Sequence, residues 1–270
     1  MTPPPQPQTT WHLGTVGFAY KQWHGIFYPA GMKSESYLAH YAQLFDSVEI
    51  DSTFYGTPTL SKVQRWLQVT PENFTFSVKT PRAITHDLRL QRADMMMAEF
   101  VERMQVLDDK LGVVLIQLPP DFTTAERDSL DAFLKQLPTD AVKFAVEFRH
   151  LSWEHRETAE LLKAHNVCWV AADYVIMPKK IHPTADFLYL RFLGEHGRYQ
   201  TKDKLLRDPR PEFADWIKQF TYNHVPDFQH IYGYMNNDFA GYSIESVNIF
   251  KEMLGLEVKL AQIPKQGRLF

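Results

Sequence analysis

The sequence predicts a single α/β domain in which eight parallel strands and the helices between them form a (β/α)8 barrel of the TIM type. Three observations lead to this expectation. Short runs rich in β-branched and aromatic residues alternate with longer runs of helical spacing. Eight such units fit into the chain without a compositional break. No G-x-G-x-x-G motif follows the first strand, which weighs against an open dinucleotide-binding sheet.

The predicted strands are short segments in which turn-forming residues bound an apolar or alternating run. Because helical runs separate successive strands, the strands are expected to be parallel and joined by crossover connections. In chain order the eight predicted strands are 13–19, 47–54, 74–79, 112–118, 142–148, 167–173, 187–193 and 229–235.

The segments between the strands repeat apolar residues at helical spacing. They predict helices over 35–45, 60–67, 92–111, 124–137, 153–165, 213–222 and 243–254. Ser34 is placed to cap the first of them. Between strands six and seven, the short segment 174–186 contains Pro178 and Pro183, so the barrel is expected to be irregular there. After strand seven, 194–211 is expected to be a long polar loop.

The first ten residues and the cysteine count indicate the cellular location of the protein. The start, MTPPPQPQTT, contains four prolines, which predicts a disordered tail over 1–10 ahead of a barrel domain over 11–270. It lacks the basic start and apolar segment of a signal peptide, and no apolar run is long enough for a membrane span. The single cysteine, Cys168, cannot form an internal disulfide. We therefore expect a cytoplasmic protein without a membrane partner.

Charge and motif content narrow the function classes. The net charge of −3 provides no global basic field, which weighs against nucleic acid as the main partner. Neither a G-x-S-x-G elbow nor a P-loop is present. Almost none of the eleven histidines falls at a strand end, so no metal site is predicted. The pattern names no cofactor and sets no oligomeric state.

Polar residues end or follow every predicted strand. In VEIDSTFY (48–55), Glu49 and Asp51 alternate with apolar residues, so both carboxylates point to the same face of the strand. In a barrel, the carboxyl ends of the strands meet at one face, where active sites form. The sequence therefore predicts that these side chains point into the barrel mouth: Tyr20, Glu49, Asp51, Lys79, Gln117, Glu147, Arg149, Asp173, Arg191, Asn236 and Asn237.

The charges in this set suggest roles. Three acids (Glu49, Glu147, Asp173) and three bases (Lys79, Arg149, Arg191) would form a nearly balanced internal network. The leading hypothesis is an enzyme, a hydrolase or lyase, acting on a polar or anionic small molecule. Glu49, Glu147 and Lys79 are expected to be catalytic. The other residues of the set are expected to bind the ligand: Tyr20, Asp51, Gln117, Arg149, Asp173, Arg191, Asn236 and Asn237.

Two alternatives stay open at this point. The strand-end charges would be purely structural in a non-catalytic binding barrel. A nucleic-acid-binding protein would instead use the basic residues of the 194–211 loop to contact phosphates, with exposed aromatic residues stacking on bases.

Several segments in one order resemble the YecE-like family called domain of unknown function 72. They include GTVGFAYKQWHGIFYP (14–29), VEIDSTFYGTP (48–58), FTFSVKTPRAITHDLRL (74–90) and YMNNDFAGY (234–242). The resemblance implies a TIM-barrel-like fold and no established reaction. A likeness suggested for such proteins to endonuclease IV-type barrels is the source of the nucleic-acid alternative. Asn is commoner in the family where Asp51 stands, which adds a carboxylate to the mouth of this chain.

Overall fold

Each predicted strand overlaps an observed one in the computed structural model, which describes residues 9–222 and 228–259. Predicted strand six is divided into two short strands. The strands are β1 (Thr10–Thr15), β2 (Ser47–Ile50), β3 (Thr75–Lys79), β4 (Leu111–Gln117), β5 (Lys143–Glu147), β6 (Cys168–Trp169), β7 (Ala171–Asp173), β8 (Phe187–Phe192) and β9 (His230–Met235).

The helical runs also form helices, generally shorter than predicted. The α-helices are α1 (Tyr37–Tyr41), α2 (Leu60–Val69), α3 (Asp94–Gln105), α4 (Arg127–Leu134), α5 (Arg156–Ala164), α6 (Arg210–Tyr222), α7 (Asn237–Ala240) and α8 (Ser243–Met253). Single turns of 3-10 helix occupy Lys21–Trp23, Ser34–Ser36, Ser52–Tyr55, Asp108–Lys110, Thr124–Glu126 and Leu151–Trp153, and Ala83–Asp87 forms a π-helical turn.

Three local predictions, for the segment 174–186, the Ser34 cap and the tail, have different outcomes in the structure. The segment 174–186 contains no helix, as its prolines predict. The predicted cap is wrong, because Ser34 lies inside a 3-10 turn that precedes α1, and no side chain caps that helix. Of the predicted tail over 1–10, residues 1–8 lie outside the described residues, while β1 begins at Thr10.

The strands pair in parallel in two sheets, with the orders β1-β9-β8-β7 and β2-β3-β4-β5-β6. The chain is therefore a mixed α/β fold with parallel sheets. The pairing gives sheets of four and five strands and does not show a single closed sheet, so the closed eight-strand barrel stays a prediction. At both boundaries between the sheets, a hydroxyl side chain takes the hydrogen bonds that a neighbouring strand would otherwise take.

The first boundary lies between β1 and β2. The hydroxyl of Tyr41, from α1, accepts from Thr15 N at 2.9 Å and donates to Ser47 O at 3.1 Å. The strands meet beyond this point through a single bridge, Val16 with Glu49. A glycine is required beside the tyrosine, because a Cβ on Gly14 would lie 1.9 Å from Ser47 O.

The second boundary lies between β6 and β8. The hydroxyl of Thr184 accepts from Trp169 N at 2.8 Å and donates to Val167 O at 2.7 Å. The N–H of Trp169 is thereby used by a side chain from the segment that replaces the missing helix. Strand pairing on this side resumes only at Ala171, which pairs with Leu190 of β8.

The two sheets nevertheless enclose one interior. Side chains of β2 alternate, so that Val48 and Ile50 pack in the cluster beneath the helices while the residues between them point inward. A second buried cluster joins Leu115 of β4 to Tyr189 of β8 and therefore contains residues of both sheets. The hydroxyl of Tyr234 contacts Ser47 Oγ at 2.6 Å across the same interior. None of the described helices combines the length and the apolar character needed to cross a bilayer.

Replacement of Tyr41 by Phe tests the first boundary. The change leaves Thr15 N–H and Ser47 C=O without their buried partner, so we expect a loss of about 1–3 kcal/mol in the free energy of unfolding. Tyr37→Phe is the matched control, since it removes the same atom from the same helix, and the Tyr37 hydroxyl has no hydrogen bond to any of residues 9–222 or 228–259. Urea denaturation of both variants measures the difference, and equal stabilities would contradict the role of Tyr41.

Candidate functional site

The guanidinium of Arg191 lies at the centre of the interior. From β8 in one sheet it reaches two carboxylates in the other: Nη2 lies 2.6 Å from Glu49 Oε1, Nε lies 2.9 Å from Glu49 Oε2, and Nη1 donates to Glu147 Oε2. The hydroxyl of Tyr189 donates to Glu49 Oε2 at 2.8 Å. The second oxygen of Glu147 accepts from Nε of Arg149.

Burial makes this network obligatory. Glu49 and Glu147 are completely buried and Arg191 is 3% exposed, so each charge would be very costly without its partners. Burial alone favours the neutral acid, but the charges of Arg149 and Arg191 outweigh it and hold the pKa of Glu147 below its ordinary value. Glu147 is therefore expected to stay ionised, and the oxygens of both carboxylates are occupied by donors.

A cavity of about 290 Å³ opens directly above the network, at the carboxyl ends of the strands. Residues two positions apart on one strand point the same way, about 6.6 Å apart. Asp51 therefore lies one layer above Glu49, and Arg149 one layer above Glu147. Polar side chains dominate the cavity wall, with aromatic rings at its edge; the lining includes Asp51, Phe54, Tyr55, Lys79, Gln117, Arg149, Tyr174, Arg191, Asn236 and Asp238.

Lys79, the last residue of β3, presents its ammonium group to this cavity. Its Nζ lies 3.8 Å from the centre of the Phe54 ring. No carboxylate of a described residue lies within 4.0 Å of Nζ. Burial, and next the positive charge of Arg191, lower the pKa of Lys79 to about 8. Near neutral pH this lysine is thus a cation without an anionic partner and carries an appreciable neutral fraction.

Asp51 is the acid that faces the same cavity. It follows β2 directly and precedes the 3-10 turn Ser52–Tyr55, which carries its side chain to the mouth. Burial, followed by the neighbouring charge of Glu49, raises the pKa of Asp51, although the charges of Lys79 and Arg191 act in the opposite direction. A half-buried carboxyl with a raised pKa is suited to exchange protons.

Arg149 completes the cationic wall. Its Nε is used by Glu147, and its guanidinium lies 4.0 Å from the centre of the Tyr174 ring. Its Nη groups make no hydrogen bond to any residue within 9–222 or 228–259. They remain available to a ligand, in a site where the aromatic ring already limits the positions of the guanidinium.

Six of the eleven predicted site residues line the cavity: Asp51, Lys79, Gln117, Arg149, Arg191 and Asn236. Glu49 and Glu147, expected to be catalytic, lie one layer below and are enclosed by their donors. Neither of them lines the cavity and each of their oxygens accepts from a donor, so the expected acid–base role of these two positions stays a prediction. Their observed contribution is to hold Arg191 in place.

Asp173 lies on the opposite face of its strand. Its carboxylate accepts from Trp216 Nε1 at 2.9 Å and pairs with Lys179 Nζ at 2.9 Å. The reason is the alternation along 167–173, in which Val170 and Ala172 belong to the interior cluster and Asp173 therefore points outward. The predicted placement of Asp173 in the mouth is corrected.

Tyr20 and Asn237 also lie outside the cavity lining, and their predicted ligand roles stay predictions. The hydroxyl of Tyr20 donates to Val16 O at 2.7 Å. Asn237 is completely buried, and its Oδ1 accepts from the backbone N and the Oγ of Ser243, which ties α7 to the start of α8. Both residues shape the loops around the mouth.

Two polar residues of the cavity are absent from the sequence prediction. Asp238 is 2% exposed and accepts from Gly197 N at 3.1 Å. His196 lies 3.5 Å from the same carboxylate. The position of Asp238 shortly after β9 could have indicated that it lies at the mouth. It was missed because the short helix α7 was not predicted. For His196 the signal was the length of the loop after β8.

The basic residues of the 194–211 segment are largely engaged with carboxylates. Lys202 lies 3.6 Å from Asp238. Arg207 pairs with Glu212 at 2.6 Å, and Arg210 with Asp208 at 3.0 Å. This arrangement provides no observation in favour of the nucleic-acid alternative. Within the described part of the chain, no three His, Cys, Asp or Glu side chains are grouped so as to hold a metal ion.

Arg191→Met tests whether the network depends on its centre. The variant leaves two buried carboxylates without a cation, so we expect it to lose about 3–5 kcal/mol of stability. Adding Glu49→Gln and Glu147→Gln should restore part of the loss, since neutral amides replace the unpaired charges. Arg156→Met is the control, because Arg156 pairs with Glu160 on the exposed face of α5 and should change stability much less. Denaturation curves measure the effects, and similar losses for Arg191→Met and Arg156→Met would contradict this view.

Comparisons with known proteins place the chain in a family. The model of the family described as "Protein of unknown function DUF72" matches residues 12–268. The UPF0759 protein YunF of Bacillus subtilis (strain 168) is 30% identical over 96% of this chain and 99% of its own length. The UPF0759 protein YecE of Escherichia coli (strain K12) is 36% identical over 113 residues, which is 42% of this chain and only 41% of YecE.

Solved structures agree with this placement. A DUF72 family protein from Thermotoga maritima MSB8 superposes with a TM-score of 0.74 and 28% identity, covering 91% of this chain and 99% of that one. A DUF72 family protein from Enterococcus faecalis V583 shares the fold, with a TM-score of 0.72 and 22% identity over 93% of this chain and 100% of that one. The predicted family is confirmed: the chain belongs to the DUF72 family.

Proposed function

We propose that the chain is a (β/α)8-type barrel enzyme, a hydrolase or lyase, that acts on a polar or anionic small molecule in the cavity above Arg191. The observation that carries the proposal is Lys79, a cation that faces the cavity without a carboxylate partner. Such a group favours a ligand that brings its own negative charge or an electron-rich oxygen. The barrel is supported by the parallel pairing and by the interior that both sheets share.

The dimensions and lining of the cavity support a small ligand. Its volume of about 290 Å³ lies at the lower end of the range for small-molecule sites. Arg149 and Arg191 would hold the anionic or oxygen-rich part, since both line the cavity and each keeps N–H groups that the buried carboxylates do not use. Gln117 and Asn236 would orient the remainder by accepting and donating hydrogen bonds.

Proton transfer is assigned to residues that the ligand can reach. Lys79 and Asp51 line the cavity, and their pKa values are displaced toward neutrality from opposite sides, one lowered to about 8 and the other raised. Such pairs are typical of acid–base sites. Glu49 and Glu147 would support the reaction indirectly, by keeping the guanidinium of Arg191 oriented and charged.

Lys79→Met tests the proposal by ligand binding. Thermal-shift measurements would use pyruvate, D-gluconate, D-glucuronate and inorganic phosphate, with glucose as the neutral comparison. We expect at least one anion to stabilise the wild type, by about 2.7 kcal/mol at a hundredfold excess over its Kd. The variant should bind that anion about ten- to a hundredfold more weakly, because a charge-assisted hydrogen bond is lost.

Lys62→Met is the matched control for that experiment. Lys62 also lies beside an aromatic ring, 5.6 Å from the centre of Trp66, but it lies on α2 outside the cavity. It should leave the anion affinity unchanged. Absence of stabilisation by every anion in the wild type would contradict a small-molecule site. Binding without turnover of any related compound would favour the non-catalytic binding barrel instead.

A further inference from the structure

We propose that Lys79 is a covalent nucleophile, and that the substrate of the cavity is a small oxo compound whose carbonyl carbon forms an imine with Lys79 Nζ. The inference rests on the proposed function and deepens it, because it names the reacting group of the substrate and the bond that forms. Four observations support it: the surroundings of Lys79 Nζ, the acid Asp51 in the same cavity, the two guanidinium groups that also line it, and a second buried lysine whose hydrogens are all used.

The first observation is that Lys79 Nζ faces open space and is not held by acceptors. An ammonium that serves to stabilise a fold donates its hydrogens to carboxylates or carbonyls. Lys79 has the Phe54 ring at 3.8 Å, no carboxylate of a described residue within 4.0 Å, and the cavity in front of it. Burial near a second cation is the usual means of keeping a lysine amine available for attack on a carbonyl.

Lys110 provides the comparison within the same protein. It is 9% exposed, and burial lowers its pKa as well. Its Nζ, however, donates to Leu67 O at 2.8 Å, to Thr70 O at 2.8 Å and to Thr70 Oγ1 at 3.2 Å. All three hydrogens are used and Lys110 does not line the cavity of Lys79. A lowered pKa is thus common to both lysines, whereas Lys79 alone of the two lines the cavity, and no carboxylate of a described residue lies within 4.0 Å of its Nζ.

The chemistry balances with groups that line the cavity. The neutral amine of Lys79 attacks the carbonyl carbon, the C–O π pair moves to oxygen, and a proton transfer gives a carbinolamine. Asp51 donates the proton with which the hydroxyl leaves as water, so a protonated imine forms and Asp51 becomes a carboxylate. When the adjacent C–H or C–C bond breaks, its electron pair forms the C=C bond of an enamine as the C=N π pair moves to nitrogen. The proton of a broken C–H bond passes to the Asp51 carboxylate, whereas the carbon of a broken C–C bond leaves as carbon dioxide or as a neutral carbonyl compound. A proton then returns to the enamine carbon, and water hydrolyses the protonated imine to the carbonyl product and the amine, without an oxidant or reductant.

Arg149 and Arg191 specify what else the substrate carries. Their guanidinium groups line the same cavity, and planar N–H pairs match a carboxylate. The charges around the cavity balance, since Lys79, Arg149, Arg191 and Lys202 stand against Glu49, Asp51, Glu147 and Asp238. Because the wall has no excess positive charge, it disfavours the double charge of a phosphate ester more than the single charge of a carboxylate. The substrate class is therefore a small oxo acid.

Reductive trapping tests the inference on the full-length protein. Glyoxylate and pyruvate are the oxo-acid probes, and dihydroxyacetone is the neutral one. Each is incubated with the wild type and sodium cyanoborohydride, which reduces an imine to a stable secondary amine, and peptide mass mapping locates the label. At pH 7 we expect Lys79 to be labelled at least about tenfold faster than exposed lysines, since more of its amine is neutral. Lys110 should stay unlabelled in the same sample.

The pH dependence supplies a second readout with a definite sign. The amine of Lys79 becomes neutral as the pH rises through about 8, whereas an ordinary lysine, with a pKa of 10.5, remains protonated until a higher pH. The preference for Lys79 over exposed lysines should therefore be large at pH 7 and shrink above pH 10. Asp51→Asn should slow labelling of Lys79 severalfold, because it removes the acid that expels water, while leaving exposed lysines unaffected.

Each outcome decides between the two proposals. Selective labelling of Lys79, strongest with the oxo acids and lost in Lys79→Arg, supports the covalent role. Labelling of Lys79 no faster than that of exposed lysines overturns it. If pyruvate stabilises the protein without any adduct on Lys79, the covalent role is overturned while the small-molecule site stands. The wild-type map decides the question even if a variant fails to fold, because every lysine in it serves as an internal comparison.

Discussion

The contact between Arg191 and two carboxylates from the opposite sheet is the interaction on which the rest of the interior depends. Backbone hydrogen bonds connect the two sheets at little more than one bridge, so side chains must hold them together. Arg191 does this with two hydrogen bonds to Glu49 and one to Glu147, and the hydroxyl of Tyr189, on the same strand, donates a further hydrogen bond to Glu49. Such a buried network has value only when complete, since a single missing partner leaves a charge in a low-dielectric interior.

The network also determines the chemistry of the cavity above it. Its carboxylates are consumed by guanidinium groups, so they cannot serve a ligand, but they neutralise the floor on which a ligand rests. The charge of Arg191 in turn helps to lower the pKa of Lys79 and opposes the rise in the pKa of Asp51. Stability and reactivity are thus coupled through one side chain: the guanidinium that closes the interior also tunes the two titratable groups above it.

Much of this architecture follows from strand alternation, and the exceptions have physical causes. In VEIDSTFY, Val48 and Ile50 face the helices, so the alternation of a strand turns Glu49 to the interior. The same rule misassigned Asp173, because its strand was aligned by its end and the inward positions are Val170 and Ala172. Strand alternation does not predict how far below the cavity a charged side chain lies. Whether Glu147 faces a ligand or a guanidinium depends on contacts between strands far apart in sequence, and no local pattern reports them. The sheet boundaries at Tyr41 and Thr184 could not be predicted for the same reason. A hydroxyl side chain that replaces strand pairing leaves no pattern in the local sequence.

The order of the strands affects how the protein folds while it is synthesised on the ribosome. The sheet β2-β3-β4-β5-β6 is made of strands consecutive in the chain, whereas β1 pairs with β9, about 220 residues later. At ~5–20 residues per second, β1 waits on the order of 10–40 s for its partner to be translated. During that interval a nascent chain can complete one sheet while β1 still lacks its parallel neighbour β9, which leaves a strand edge open to mispairing. Chaperone dependence in the cell would therefore be governed by the first strand rather than by the larger sheet.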